Sequence, residues 1–184
     1  MDEKMKHLKE LRHKYRGRPI AILGAGPSLP GDLERLPADT VLIGLNHHAV
    51  KIVDVDYLVF ADKPDRNPDL AAAVAAHMGK RITNIKGASD WDVAGTGYWQ
   101  GGMSGTMATW FACYMGGDPV LLCGMDCNQP GPRYFYSGPD DMITTPEFPL
   151  EDVQAAWRKA LDRCPDSHRI RSVSGPLVEV FGGL

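Results

Sequence analysis

Two glycine-bearing turns are the first places in the sequence where a phosphate could meet backbone. One is Gly24-Ala25-Gly26-Pro27-Ser28, which stops the apolar run Pro19–Leu23. Gly24 and Gly26 let a ligand approach the chain closely, and Ser28 adds a hydroxyl. The other is Gly101-Gly-Met-Ser104-Gly105-Thr106, read as opening a helix. A helix start offers unpaired N–H groups and a partial positive charge, both suited to an anion, and Ser104 and Thr106 add hydroxyls. Each turn also has a purely structural reading, a Gly-Pro helix start for the first and a packed N-cap for the second. Two such turns on one sheet point to a nucleotide held between them.

Further polar residues follow the other apolar runs. Asn46 suits a base, ribose or phosphate, and equally a turn. Asp62 and Asp126 are placed to orient a ribose, hold a divalent ion or act as a base. Tyr134 and Tyr136, in a long proline-rich loop, suit a phosphate or base contact or a core plug. Asp126, His168 and Tyr134 are the catalytic candidates. Gly24, Gly26, Ser28, Asn46, Asp62, Ser104, Gly105, Thr106 and Tyr136 are the ligand-binding ones. His47 and His48 are adjacent, so they are expected to point in different directions as a poor metal pair, although one of them can reach the site. Asp54 and Asp56 precede a strand and belong at its wrong end.

Several common chemistries lack their residues. The first turn supplies two glycines of GxGxxG, but the third position is Leu29 and the ribose acid is replaced by Asn46. Gly79-Lys80 is followed by Arg81, so there is no Walker A motif. Cys123 and Cys127 have no second Cys/His pair at zinc spacing, and no metal site is expected.

The elements that must carry these residues alternate. Apolar runs at 19–23, 40–45, 57–61, 81–85, 120–123 and 169–173 read as strands, and 69–78, 104–115 and 151–163 read as helices, the second of them capped by Ser104. Residues 2–16 read as a charged helix with Met5, Leu8, Leu11 and Tyr15 on one face. The fold expected is α/β: a Rossmann-like, mostly parallel sheet with helices on both faces. It comprises a basic N-terminal helix within 1–18 and one domain over 19–184, with a functional or mobile loop at 127–149 in place of a lid. In such sheets ligands bind beyond the C-terminal strand ends.

Composition agrees with one globular domain: 184 residues, 43% hydrophobic and 23% charged. Lys plus Arg is 20 against 23 for Asp plus Glu, a net charge of −3, which does not suit a nucleic-acid binder. The four scattered cysteines read as reduced thiols of a cytoplasmic protein. No apolar run follows the basic N-terminus, so no signal peptide is expected. Val93–Gly117 is uncharged but too glycine-rich for a membrane helix, so no membrane insertion is expected.

The sequence blocks Ile-Leu-Gly24-Ala-Gly-Pro-Ser-Leu29, Gly-Leu-Asn46, Val-Asp56-Tyr-Leu-Val-Phe-Ala-Asp62, Met-Ser104-Gly-Thr-Met-Ala108 and Leu-Cys-Gly124-Met-Asp126 occur in a familiar order. Over residues 19–136 the chain resembles the family that joins Campylobacter-type bacterial sialyltransferases to archaeal 6-hydroxymethylpterin diphosphokinase-like proteins. Small phage and prophage proteins share this pattern. The resemblance implies that Gly24, Gly26, Ser28, Asn46, Ser104 and Gly105 hold the nucleotide of a CMP-sugar, and that Tyr134 or Tyr136 contacts the leaving phosphate. Asn128 stands where those enzymes have a further tyrosine, Ala25 where they have asparagine, and their catalytic histidine lies in a lid that this chain mostly lacks.

The expected function is therefore a nucleotide-binding, glycosyltransferase-like transferase taking a CMP- or other nucleotide-sugar, with no cofactor required. One alternative is a Mg²⁺-dependent pterin-type diphosphokinase with Asp62 and Asp126 on the metal. Another is a non-catalytic nucleotide or metabolite binder of the phage-accessory kind. A homo-oligomer is left open.

Overall fold

The computed structural model describes residues 6–85, 88–92, 103–164 and 166–184. Its centre is a six-stranded sheet of β2 (Ile20–Leu23), β3 (Val41–Leu45), β4 (Tyr57–Val59), β5 (Lys80–Ile82), β7 (Val120–Cys123) and β10 (Ile170–Ser172). The order is β10-β7-β2-β3-β4-β5 and every pairing is parallel. Parallel strands need crossovers, and the helices that supply them cover both faces.

Side-chain alternation sorts the core into two layers. Ile20 and Ile22 of β2, Tyr57 and Val59 of β4, and Val120 and Leu122 of β7 meet α3 (Ser104–Tyr114) and α4 (Leu150–Leu161) on one face. Ala21, Leu23, Leu121 and Cys123 face the other way, toward Leu29 at the start of α1 (Leu29–Leu33). Leu58 there packs with Leu70 of α2 (Pro68–Ala76). The switch point, where the order reverses, lies between β2 and β7. All four cysteines are free thiols, and only Cys127 is not buried.

Two expectations need correction. Over the described residues the N-terminal segment is not a helix: β1 (Lys6–His7) pairs with β6 (Trp91–Asp92), and a 3-10 turn follows at Leu8–Leu11. The apolar spacing still marks a real face, because Leu8 and Leu11 enter the core. The segment then docks on the end of α3, where the His13, Tyr15 and Gly17 N–H groups donate to the carbonyls of Tyr114, Met115 and Gly116. These are carbonyls that a helix leaves without partners, and the basic run sits at the negative end of the helix dipole. Ser104 does not cap α3; the N-cap is Met103, without a side-chain bond. The long loop 127–149 is partly ordered by the hairpin of β8 (Gly131–Pro132) and β9 (Met142–Ile143).

The N-terminal segment also reaches the sheet through one phenol. Tyr57 is fully buried, its hydroxyl 2.9 Å from that of Tyr15 and 3.3 Å from Lys14 Nζ, which donates to it. Burial and the Tyr15 hydrogen bond push its pKa well above the usual tyrosine range. Tyr57→Phe keeps the packing and removes the bond, so urea denaturation should show a loss of about 0.5–1.5 kcal/mol.

Candidate functional site

The C-terminal strand ends form two separate places. At the switch point the turns after β2 and β7 are zipped together: Gly24 N–H donates to Cys123 O at 2.8 Å and Gly26 N–H to Gly124 O at 2.9 Å. Asp126 Oδ2 accepts from Ser28 N (3.2 Å) and Ser28 Oγ (2.8 Å). Ser28 Oγ also lies 3.2 Å from Asp32 Oδ2, which accepts the Gly124 N–H at 2.9 Å. Asp32, which sequence reading passed over, is 2% exposed. Its signal was the Ser28-to-Asp32 spacing of four after a glycine turn.

This geometry corrects the phosphate-cradle reading of Gly24, Gly26 and Ser28. Their N–H groups are occupied by protein acceptors, and Pro27 has none to offer. A Cβ on Gly26 would overlap the Asp126 carboxylate, and one on Gly24 would overlap the Gly124 carbonyl. The glycines are there because the protein packs against itself. Asp126, expected as a base, is likewise engaged by Ser28.

The turn has a second task. Ala25 O accepts the Phe135 N–H at 3.0 Å, which pins the long loop to the sheet. The Phe135 ring packs against the core layer beside α1. Tyr134 and Tyr136 then lie over the end of β3, their rings stacked at 5.3 Å and 20°.

There a cleft of about 500 Å³ opens. Asn46, Asp62, Tyr134 and Tyr136 all line it, so four of the expected residues converge. Asn46 follows β3 at φ +53°, a left-handed conformation that asparagine adopts more readily than most residues. Its Oδ1 is enclosed and, among the described residues, accepts no hydrogen bond.

Ser104, Gly105 and Thr106 are not part of this lining. Gly105 is closed against Trp157 and beside Leu45, so α3 starts at the same sheet edge. Thr106 is buried and its hydroxyl donates to Met103 O at 3.0 Å. The first helical bond, Met107 N–H to Met103 O, leaves the three preceding N–H groups outside the helical ladder. Gly101 and Gly102 lie outside the described residues. His168 needs a firmer correction: it is exposed and precedes β10, at the opposite end of the sheet. Asp56 is at that end too, accepting the Leu42 N–H.

His47 and His48 do not diverge. The turn that begins at Asn46 brings their rings to 4.0 Å and 35°. His48 Nδ1 is 2.7 Å from the Tyr136 hydroxyl, and its ring lies 4.8 Å from that of Tyr134. Lys51 Nζ stands 4.2 Å over the Tyr136 ring, a cation–π contact. Desolvation by burial, then the neighbouring His47 and Lys51, pull the His48 pKa down to about 4. Burial also lowers His47, outweighing the pull of the exposed Asp69 carboxylate 3.9 Å away. Both imidazoles are uncharged at neutral pH, so that approach is not an ion pair.

Asp141 is held by Ser137 and Arg133, which keep its carboxyl below the usual range. Among the described residues no group of three or more His, Cys, Asp or Glu is arranged to hold a metal ion. No helix among them is long and apolar enough to cross a membrane.

Comparison of the chain with protein-family models, with curated proteins and with solved structures gives no match. The site therefore stands on its own geometry.

Two outcomes follow. Gly26→Ala forces the Asp126 carboxylate off Ser28, and Asp126→Ala removes it. Each should cost about 1–3 kcal/mol in urea denaturation. For pH, the folded state holds His48 near 4 while the unfolded chain returns it to 6.5. Between those values the unfolded state binds more protons, so stability falls as pH drops from about 6.5 toward 4. His47 and His77 shift the same way. Thermal melts across pH 7 to 4 should show a shallower acid loss for His48→Gln than for the parent; parallel curves would remove His48 from this account.

Proposed function

We propose that the chain is a nucleotide-binding transferase of the glycosyltransferase-like kind, taking a CMP- or other nucleotide-sugar without a metal. The observation that carries this reading is the cleft beyond β3 and β4. There Asn46 sits with two stacked tyrosines and the Lys51 ammonium. A base has tyrosine rings to stack on, and a phosphate has a cation within the same cleft.

The diphosphokinase alternative needs Asp62 and Asp126 on one ion. Three strand spacings separate β4 from β7, about 14 Å, and Asp126 is engaged by Ser28. The two acids are not brought together, which leaves the metal-independent reading the better supported.

A thermal-shift panel of CMP, CDP, UDP, GDP, ADP and ATP, each with Mg²⁺ and with EDTA, tests it. A pyrimidine nucleotide at a hundred times its Kd should stabilise by about 2.7 kcal/mol, equally in EDTA. Tyr134→Ala should weaken that binding by about 1–3 kcal/mol. Asn46→Gly, which keeps the backbone conformation, should weaken it too. Stabilisation by ATP only with Mg²⁺ would restore the diphosphokinase, and binding without turnover would make the chain a binder alone. No shift with any nucleotide would end the nucleotide reading.

A further inference from the structure

Transfer to a hydroxyl needs a base for the acceptor and a proton for the departing phosphate, and the two bases expected from sequence are misplaced. Asp126 is engaged at the switch point, and His168 is at the far end of the sheet. The cleft itself holds a hydrogen-bonded imidazole and phenol, His48 Nδ1 to Tyr136 Oη at 2.7 Å. The bond engages one ring nitrogen. Nε2 has no hydrogen bond among the described residues and is not enclosed. The ring packs against His47 at 4.0 Å and Tyr134 at 4.8 Å. Tyr136 is 39% exposed and lines the cleft.

We propose that His48 and Tyr136 form a proton relay that takes the acceptor's hydroxyl proton at His48 Nε2 and returns one from Tyr136 Oη to the departing phosphate. This rests on the transferase reading above. In the resting tautomer Nδ1–H donates to Tyr136 Oη, leaving Nε2 as an acceptor and the phenol O–H as a donor. The acceptor oxygen forms its bond to the sugar carbon as the bond from that carbon to the phosphate oxygen breaks. The electron pair of the broken bond stays on the phosphate. The acceptor proton passes to Nε2, the Nδ1 proton to Oη, and the phenol proton to the phosphate. No charge remains on the protein, and exchange with water restores the tautomer.

The charges around the ring favour a conduit over a proton store. His47 from the same turn, Lys51 from the turn after it and burial all oppose a positive imidazole, and Asp69 of α2 opposes them only weakly. From the long loop Tyr134 and Tyr136 face it, and Asp62 and Asp141 stand elsewhere on the cleft wall. A neutral ring through the physiological range can accept at one nitrogen only by releasing at the other.

The test uses the full chain, with CMP-sialic acid as donor and water as acceptor, alongside ¹⁵N spectra of the imidazoles. His48→Gln and Tyr136→Phe should each lower CMP release by about 10²–10⁴-fold. The double variant should lose little more than either one, because the pair acts as a unit. Both singles should keep CMP affinity within a few-fold. In the spectra, His48 should stay neutral at pH 6, and Tyr136→Phe, at an exposed position with its ring retained, should change the tautomer ratio. Losses that multiply, a tautomer indifferent to Tyr136→Phe, or parent protein that binds CMP yet releases none would each overturn the relay and leave nucleotide binding standing. Parent protein that binds none of CMP, CDP, UDP, GDP, ADP or ATP overturns the transferase reading itself, whatever the spectra show.

Discussion

The Asp126 carboxylate occupies the volume that a side chain at position 26 would need, and much of the C-terminal edge of the sheet is arranged around that contact. It joins the turn after β7 to Ser28, while Asp32 joins Ser28 back to the Gly124 N–H, so two strand ends and the start of α1 form one hydrogen-bonded body. Each buried polar group in this lock has a partner, which is the condition for burying it at all. With the turn held, the Ala25 carbonyl is presented at a defined angle and takes the Phe135 N–H. That single bond carries the aromatic loop across to β3. The lock at the switch point therefore supports a cleft two strands away.

The cleft is polar but carries little free positive charge. Its histidines are neutral, and Asp141 is tied to Arg133 and Ser137, leaving Lys51 as the cation against the tyrosine face. With Asp62, Asp69 and Asp141 on its wall against the one lysine of the described lining, the cleft suits a ligand of modest charge better than a polyphosphate. It also lets hydrogen-bond geometry, rather than Coulomb attraction, set the orientation of what binds. A neutral His48 ring keeps one nitrogen able to accept while the other bonds Tyr136.

The N-terminal segment shows the same economy of use. Leu8 and Leu11 fill the core, while the residues after them donate backbone N–H groups to the last turn of α3. Lys9 and Arg12 stand beside Trp110 and Tyr114 near the end of α3, where a helix dipole is negative, while Lys14 and Arg18 reach Tyr57 and Asp39.

The sequence by itself determined the sheet and its layers. Runs such as Ile20–Leu23 and Val120–Cys123 are apolar at every position because both faces of a parallel strand are covered. It also determined that polar residues cluster at the C-terminal strand ends, since strand direction follows from the alternation of strand and helix. Asn46 and Asp62, which follow strands, read as candidates for that reason, whereas Tyr134 and Tyr136 come from the long loop after β7; the four line one cleft. Long-range packing decides between ligand and protein as the partner of the Gly24–Ser28 turn. Gly26 reads the same in either case, and what excludes a phosphate is Asp126, a hundred positions later. His48 was hidden likewise: local sequence suggests that adjacent side chains diverge, whereas the turn after Asn46 and a tyrosine from a distant loop bring the rings together. Contacts between residues far apart in the chain are set by packing, and packing is not written in any local spacing.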